Sequence, residues 1–378
     1  MTSLGGHLVE PLNGPAPPND RERPSYYWGR LPAEISINIF KYCDVQSLGN
    51  LLVVSKAFYC IIKAHESDIT KGYLRVRRDG TLPSRNNPPR AYTWIPEEDM
   101  TVLTDLHPPP FIDQDGQHGS PESYSFRYLA DIERRQEICT DLGEYLADDV
   151  MNRFVSEKRD IASHFFELSD RAQKRILASG LARLKPKFTT AMLYVMYLLE
   201  SYQQGWMKDP GTNSQVALLE SIVQASPFTD DRTLVTTDHF LTLLLGIPYR
   251  LLGELSLYSM QLRWVGLLFA SNGLGQIMEF IAAVNKGSSQ RVIQKQFRRN
   301  MKIDIKYFEK AMETHKSVNL PNIDLYWRTV VCTVLLKRKL LPHPSEDHIR
   351  LWKDIHVGVE CLSCSTPTPV NRYTYGMW

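Results

Sequence analysis

LPAEISINIFKYCDVQSLGNLLVVSKAFYCIIKAHESDIT, residues 31–70, is the stretch on which the reading of the chain turns. Pro32 stands where a first helical turn tolerates a missing amide donor, and Glu34 puts negative charge near the positive end of the helix dipole. Ile35, Ile39 and Tyr42 or Cys43 follow at three- and four-residue steps, with Ile37 and Phe40 carrying apolar character onto other faces. Asp44 interrupts this pattern. Ser47 can cap a second helix with Leu48, Leu51, Leu52 and Val54, and Ser55 offers a break before a third with Phe58, Ile61 and Ile62. Three helices in so short a stretch enclose a very small core. They carry more large apolar groups than that core can hide, so part of this surface is expected to meet a partner or a larger domain.

The LPxE start, the Ile35 and Ile39 spacing, the Asp44 to Leu48 step and VSKAFYCII at 54–62 together resemble the F-box family. The VSKxFY form is similar to versions common in fungal proteins. The resemblance implies a three-helix module that docks on the small adaptor of a cullin-RING ubiquitin ligase, the adaptor in turn attaching to the cullin, while the rest of the chain captures a protein substrate. Carried over residue by residue, it implies that Leu31 and Pro32 form the entry of the docking surface. Ile35, Ile39, Leu48, Leu51, Val54, Phe58 and Ile62 match the recurring apolar positions, some binding the helices together and others meeting the adaptor. Cys43 stands where leucine is more usual and Phe58 where tryptophan is common; both remain apolar and bury readily.

Outward from the module, the composition divides the 378 residues. Residues 1–30 hold Pro11, Pro15, Pro17, Pro18 and Pro24 among glycine and polar residues and read as a flexible leader. Residues 71–123 hold Pro83, Pro88, Pro89, Pro96 and the run Pro108, Pro109, Pro110, which removes amide donors and disfavours helix. This reads as a turn-rich, partly ordered connector, with Tyr92, Trp94, Ile95 and Phe111 available to pack on a neighbour. Residues 124–360 are helical in pattern. Ile138, Leu142, Leu146, Val150 and Phe154 recur every four residues, and AMLYVMYLLE at 191–200 is apolar on more than one side, as in a helix buried among others. Two separate helices are expected over 172–184 and 189–202. No repeat period emerges, so the fold class is mainly α, a small three-helix module plus a larger irregular multi-helix domain. Residues 361–378 read as a tail.

The bulk numbers narrow the function classes. Lys and Arg total 44 against 42 Asp and Glu, a formal charge of +2, which gives no general attraction for nucleic acid or anionic lipid. Cys43, Cys60, Cys139, Cys332, Cys361 and Cys364 are too scattered for a disulfide framework and read as reduced thiols. The N-terminus lacks the basic and apolar regions of a secretion signal, and no apolar run reaches the roughly 20 residues of a membrane crossing. Localisation in the cytoplasm, the nucleus or both is the expectation.

Motifs for chemistry are sparse. Cys361-Leu-Ser-Cys364 with His356 supplies at most three zinc ligands and lacks a second paired cluster, so no metal is assigned. NGLGQ at 272–276 is not a GxGxxG loop, and no GxxxxGK[ST], GxSxG or HExxH pattern occurs. His164 and the neighbouring pairs Glu97-Glu98 and Asp148-Asp149 read as ordinary, largely solvated residues, since adjacent carboxylates do not share a helix face. Trp264 and Trp327 read as core.

RVIQKQFRRNMKIDIK at 291–306 places Arg291, Lys295, Arg298 or Arg299, and Lys302 on neighbouring parts of one helix face, leaving Val292, Phe297 and Ile303 for packing. A second basic cluster comprises Lys174, Arg175, Arg183, Lys185 and Lys187. Each is first a solvated helix surface. Arg291, Lys295, Arg298, Arg299 and Lys302 are also the candidates for a substrate-facing site for an acidic or phosphorylated peptide.

These readings converge on a non-enzymatic, cofactor-free specificity subunit that binds the ligase adaptor, and through it the cullin, and presents a protein substrate. Two alternatives stand beside it. One is an adaptor-binding scaffold that delivers nothing; the other is an enzyme whose site lies in the helical domain.

Overall fold

The computed structural model describes residues 31–79, 97–110, 124–157, 167–208, 215–252, 273–285 and 323–338, together with 269, 292, 295, 299 and 306 individually. It is mainly α-helical, and the described residues contain no strand. Two compact units are present, Met1–Val76 and Arg77–Trp378.

The first unit holds α1 (Ala33–Phe40), α2 (Val45–Val54), α3 (Lys56–Ala64) and most of α4 (Glu66–Asp79). Its helix starts are encoded locally. Asp44 sits in extended backbone and accepts the Ser47 amide at 2.6 Å, satisfying a first-turn donor of α2. Asp44, one turn earlier than expected, is therefore the cap, and Ser47 is its donor. Ser55, with φ −150° and ψ 135°, accepts the Ala57 amide and starts α3, as its position between two apolar runs suggests. Phe40, Leu48 and Ile62, one from each helix, are fully buried, and Phe40 meets Phe58 edge-to-face at 6.0 Å. Ser36 and Thr70 are buried as well, and among the described residues neither hydroxyl finds a hydrogen-bond partner.

The second unit is organised on two long antiparallel helices, α6 (Phe126–Glu157) and α7 (Asp170–Lys208). The pairs Arg135–Glu200, Cys139–Met196, Lys185–Glu144 and Met151–Gly180 run in opposite order along the two chains. Leu142, Leu146 and Val150 are buried, as the four-residue stripe requires, while Ile138 is half-buried; the Phe154 side chain lies outside the described residues. Ala191, Met192, Leu193, Val195, Met196, Leu198 and Leu199 are all buried, as expected of a helix enclosed on more than one side.

α7 corrects one expectation: the two helices expected over 172–184 and 189–202 are one, which runs through Pro186. The ring costs one backbone hydrogen bond, but the helix continues because its next turns are held by packing on α6. There a Cβ on Gly143 would lie 2.6 Å from the Thr189 amide nitrogen, so the two backbones are closer than any side chain permits. α8 (Gln215–Gln224), α9 (Asp231–Leu252), α10 (Gly273–Asn285) and α11 (Ile323–Lys337) complete the described core. Trp327 is buried, and its indole N–H donates to the buried Asp238 at 3.0 Å.

The described part of the proline-rich stretch contains helix. α4 runs to Asp79, and α5 (Glu98–Leu106) lies within the expected connector. Arg77 explains how it is held: its guanidinium reaches Glu97 at 2.7 Å, Glu133 at 3.4 Å and the Gln136 carbonyl at 3.0 Å. Gln136 donates back to Glu97. Burial raises the Glu97 carboxyl's pKa, but the hydrogen bonds from Arg77 and Gln136 and the Arg77 charge outweigh it and leave the group below its ordinary value. Glu97 is thus a half-buried structural anchor, which corrects its reading as solvated surface.

Candidate functional site

The residues of the first unit separate by exposure. Leu48 and Ile62 are buried; Leu31, Ile39, Leu51 and Phe58 are half-buried; Pro32, Ile35 and Val54 are exposed. Two of the nine are thus core residues, three face solvent and four do both. In α1 the buried side is set by Ser36 and Phe40, so the Ile35, Ile39 and Tyr42 steps trace an outer apolar face.

Ile35 is 46% exposed, Tyr42 50%, Val53 84%, Val54 71% and Tyr59 50%. Val53, Tyr42 and Tyr59 were not among the sequence candidates. A helical wheel could have found Val53, because it lies on the opposite side of α2 from buried Leu48. Fully covering a Val or Ile side chain is worth about 1.5–3 kcal/mol, so this surface can release several kcal/mol to a partner. It contains no charged cluster or nucleophile arranged for chemistry; Cys43 is held by a weak thiol bond to the Ile39 carbonyl, and burial, then Asp44, raises its pKa.

In the second unit, two cavities of about 350 and 310 Å³ share Asp131, Arg135 and Glu200. Arg135 already grips Glu200 at 3.0–3.2 Å. His107 Nδ1 lies 3.7 Å from Glu200, but burial lowers its pKa to about 4, Glu200 opposing and Arg135 adding to the shift. At neutral pH the contact is therefore not an ion pair. The cavity charges are largely satisfied internally, and no nucleophile and base stand together there.

Of the basic candidates, Lys295 and Arg299 are described, helical and exposed; Arg291, Arg298 and Lys302 lie outside the described residues. Val292, expected to pack, is 63% exposed, so this part of the run turns an apolar residue outward with its cations. The leader, the tail with Cys361 and Cys364, His356, His164 and Trp264 also lie outside the described residues. Cys43, Cys60, Cys139 and Cys332 are thiols outside any disulfide. Among the described residues, no group of three or more His, Cys, Asp or Glu side chains could hold a metal ion. No described helix is long and apolar enough to cross a membrane.

An F-box-like family model matches residues 28–66. The chain therefore carries an F-box-like domain, coincident with α1–α3 and the start of α4, a module whose general role is adaptor binding. No curated protein and no solved structure matches the chain.

Proposed function

We propose that this chain is a substrate-recognition subunit of a cullin-RING ubiquitin ligase: a non-catalytic protein of the cytoplasm or nucleus that docks on the ligase adaptor and presents a protein for ubiquitination. The observation that carries the reading is the exposed apolar surface of the F-box-like module, on Ile35, Tyr42, Val53, Val54 and Tyr59. Five large apolar side chains left exposed on a unit with its own buried Phe40, Leu48 and Ile62 are what a surface that docks on a partner would supply. The mechanism is proximity: two proteins held in one assembly react as if highly concentrated, with no bond chemistry supplied by this chain.

The test compares surface with core by measuring binding to a purified F-box-binding adaptor. Replacing Leu31 and Pro32 by alanine, or Val54 by aspartate, should weaken capture at least about tenfold without unfolding the module, as expected for truncating or charging an interface anchor. Leu48→Ala should instead cost about 2–5 kcal/mol of stability. Unchanged adaptor affinity in the surface variants would remove the docking assignment. Ubiquitination of a captured protein in the reconstituted ligase separates a delivery subunit from a scaffold.

A further inference from the structure

The sequence from Arg171 to Leu199 contains no acidic residue, and its first half forms the exposed end of α7. Arg171, Lys174, Arg175, Arg183 and Lys187 are all exposed, and among the described residues none of the five forms a hydrogen bond or ion pair. Lys185 is the exception, lying 3.3 Å from Glu144 and 4.0 Å from Asp148. The cations form two groups, Arg171, Lys174 and Arg175 and then Arg183 with Lys187, about 12 Å apart along the axis between Arg175 and Arg183; at about 100° per residue Arg171, Arg175 and Arg183 share one exposed side of the helix, with Lys174 and Lys187 on its two flanks. Ala178, Ser179 and Ala182 occupy the exposed surface between them, with Ile176 48% exposed beside it. A partner's backbone can approach closely over such small side chains while its charged groups reach both ends.

We infer that this face of α7 docks an acidic, Asp- and Glu-rich segment of the protein that the chain delivers, an assignment that rests on the delivery reading above. Charge complementarity selects the occupant. Unpaired cations on a solvated helix favour an anion, and the length over which they are spread fits a run of carboxylates better than one phosphate, which a single turn would satisfy. Nucleic acid fits less well. Glu144 and Asp148 of α6, which meet Lys185, lie beside the Arg183 end of this face, Glu137 and Asp141 continuing the acidic stripe away from Arg171–Arg175, and a polyanion long enough to reach both cation groups would be repelled there. A short acidic segment can keep to α7. The paired stripes also fix its position, since a shift toward α6 brings like charges together.

The experiment measures anisotropy of a short fluorescein-labelled polyglutamate peptide with the full-length chain, and adaptor capture on the same preparations. The wild type should bind the peptide in low salt and weaken as salt rises. Arg171→Glu/Lys174→Glu/Arg175→Glu should lose about tenfold or more in affinity. It should remain folded, because acidic residues are favourable in the first turns of a helix. The corresponding triple alanine variant should lose affinity to a lesser degree, and Lys295→Glu/Arg299→Glu should bind as wild type. No peptide binding by the wild type, undiminished binding by the α7 variants, or loss only in the Lys295/Arg299 variant overturns the inference. Tighter binding of a short labelled DNA duplex that the α7 reversal abolishes also overturns it, in favour of nucleic acid. Adaptor capture should survive every α7 variant; a wild type that binds the peptide but no adaptor defeats the delivery reading while leaving the acidic-ligand site standing.

Discussion

His107 shows how one residue can carry a pH dependence that its sequence neighbours do not announce. It follows α5, packs edge-to-face on Tyr197 and receives the Tyr128 hydroxyl on its backbone carbonyl at 2.8 Å. Burial favours the neutral ring and lowers its pKa to about 4 from an ordinary 6.5. Because the unfolded chain then binds more protons between those values, the contribution to stability is full above pH 6.5 and is lost as pH falls toward 4. At about 1.4 kcal/mol per pKa unit, the difference is on the order of 3 kcal/mol. His107→Gln should flatten this part of the stability profile in denaturant titrations from pH 7 to about pH 4, while the acid lability contributed by carboxylates such as Glu97 remains. Equal pH slopes for the two proteins would remove His107 from the account. The chain order around His107 is a run of prolines, which correctly signals turns but carries no trace of Glu200 or Arg135, residues that arrive from α6 and α7. Local residue patterns disclosed the candidate docking positions; they could not disclose which charges would be buried together.

At the scale of helices, the sequence made type and periodicity readable and left the side and the extent of each element to packing. The three-helix module, the α6 stripe and the enclosed 191–200 segment all follow from apolar spacing. The Ile35, Ile39 and Tyr42 stripe was equally visible, yet it faces outward because Phe40 occupies the small core. The gap expected between 184 and 189 contains Pro186, whose local cost to a helix is plain, whereas the α6 contact that compensates it is distant in sequence. Gly143 is the other half of that contact. Gly143→Ala gains up to about 1 kcal/mol of helix propensity, but its Cβ would stand 2.6 Å and 2.9 Å from backbone atoms of Thr189, which cannot rotate away. Overpacking of this kind costs about 1–3 kcal/mol, so the net effect should be destabilising. Gly49→Ala, in α2 with nothing within 4 Å of the added carbon, should stabilise by about 0.5–1 kcal/mol. A denaturant midpoint that rises for Gly143→Ala as it does for Gly49→Ala would show that α6 and α7 are not confined at this contact.

For the whole molecule, the near balance of charge conceals segregation: a basic run on α7 and an acidic stripe on α6, with exposed apolar side chains on the F-box-like module. Delivery requires two separate binding activities in one chain, and proximity makes their effects multiply because a captured protein without the adaptor is not brought to the ligase. On the delivery reading, a full-length chain with Leu31→Ala/Pro32→Ala should therefore keep a captured protein and lose the adaptor. Expressed at about tenfold excess over the wild type, it should sequester most of that protein and reduce its ligase-dependent turnover by roughly the same factor, provided affinity for the captured protein is unchanged. Adding Arg171→Glu/Lys174→Glu/Arg175→Glu to this decoy should relieve the protection, because the decoy then holds neither partner. Half-life of the captured protein, followed after translation arrest with and without proteasome inhibition, reads both effects. A scaffold that delivers nothing gives no protection with the first decoy, whereas a decoy that still protects after charge reversal places capture on a surface other than α7.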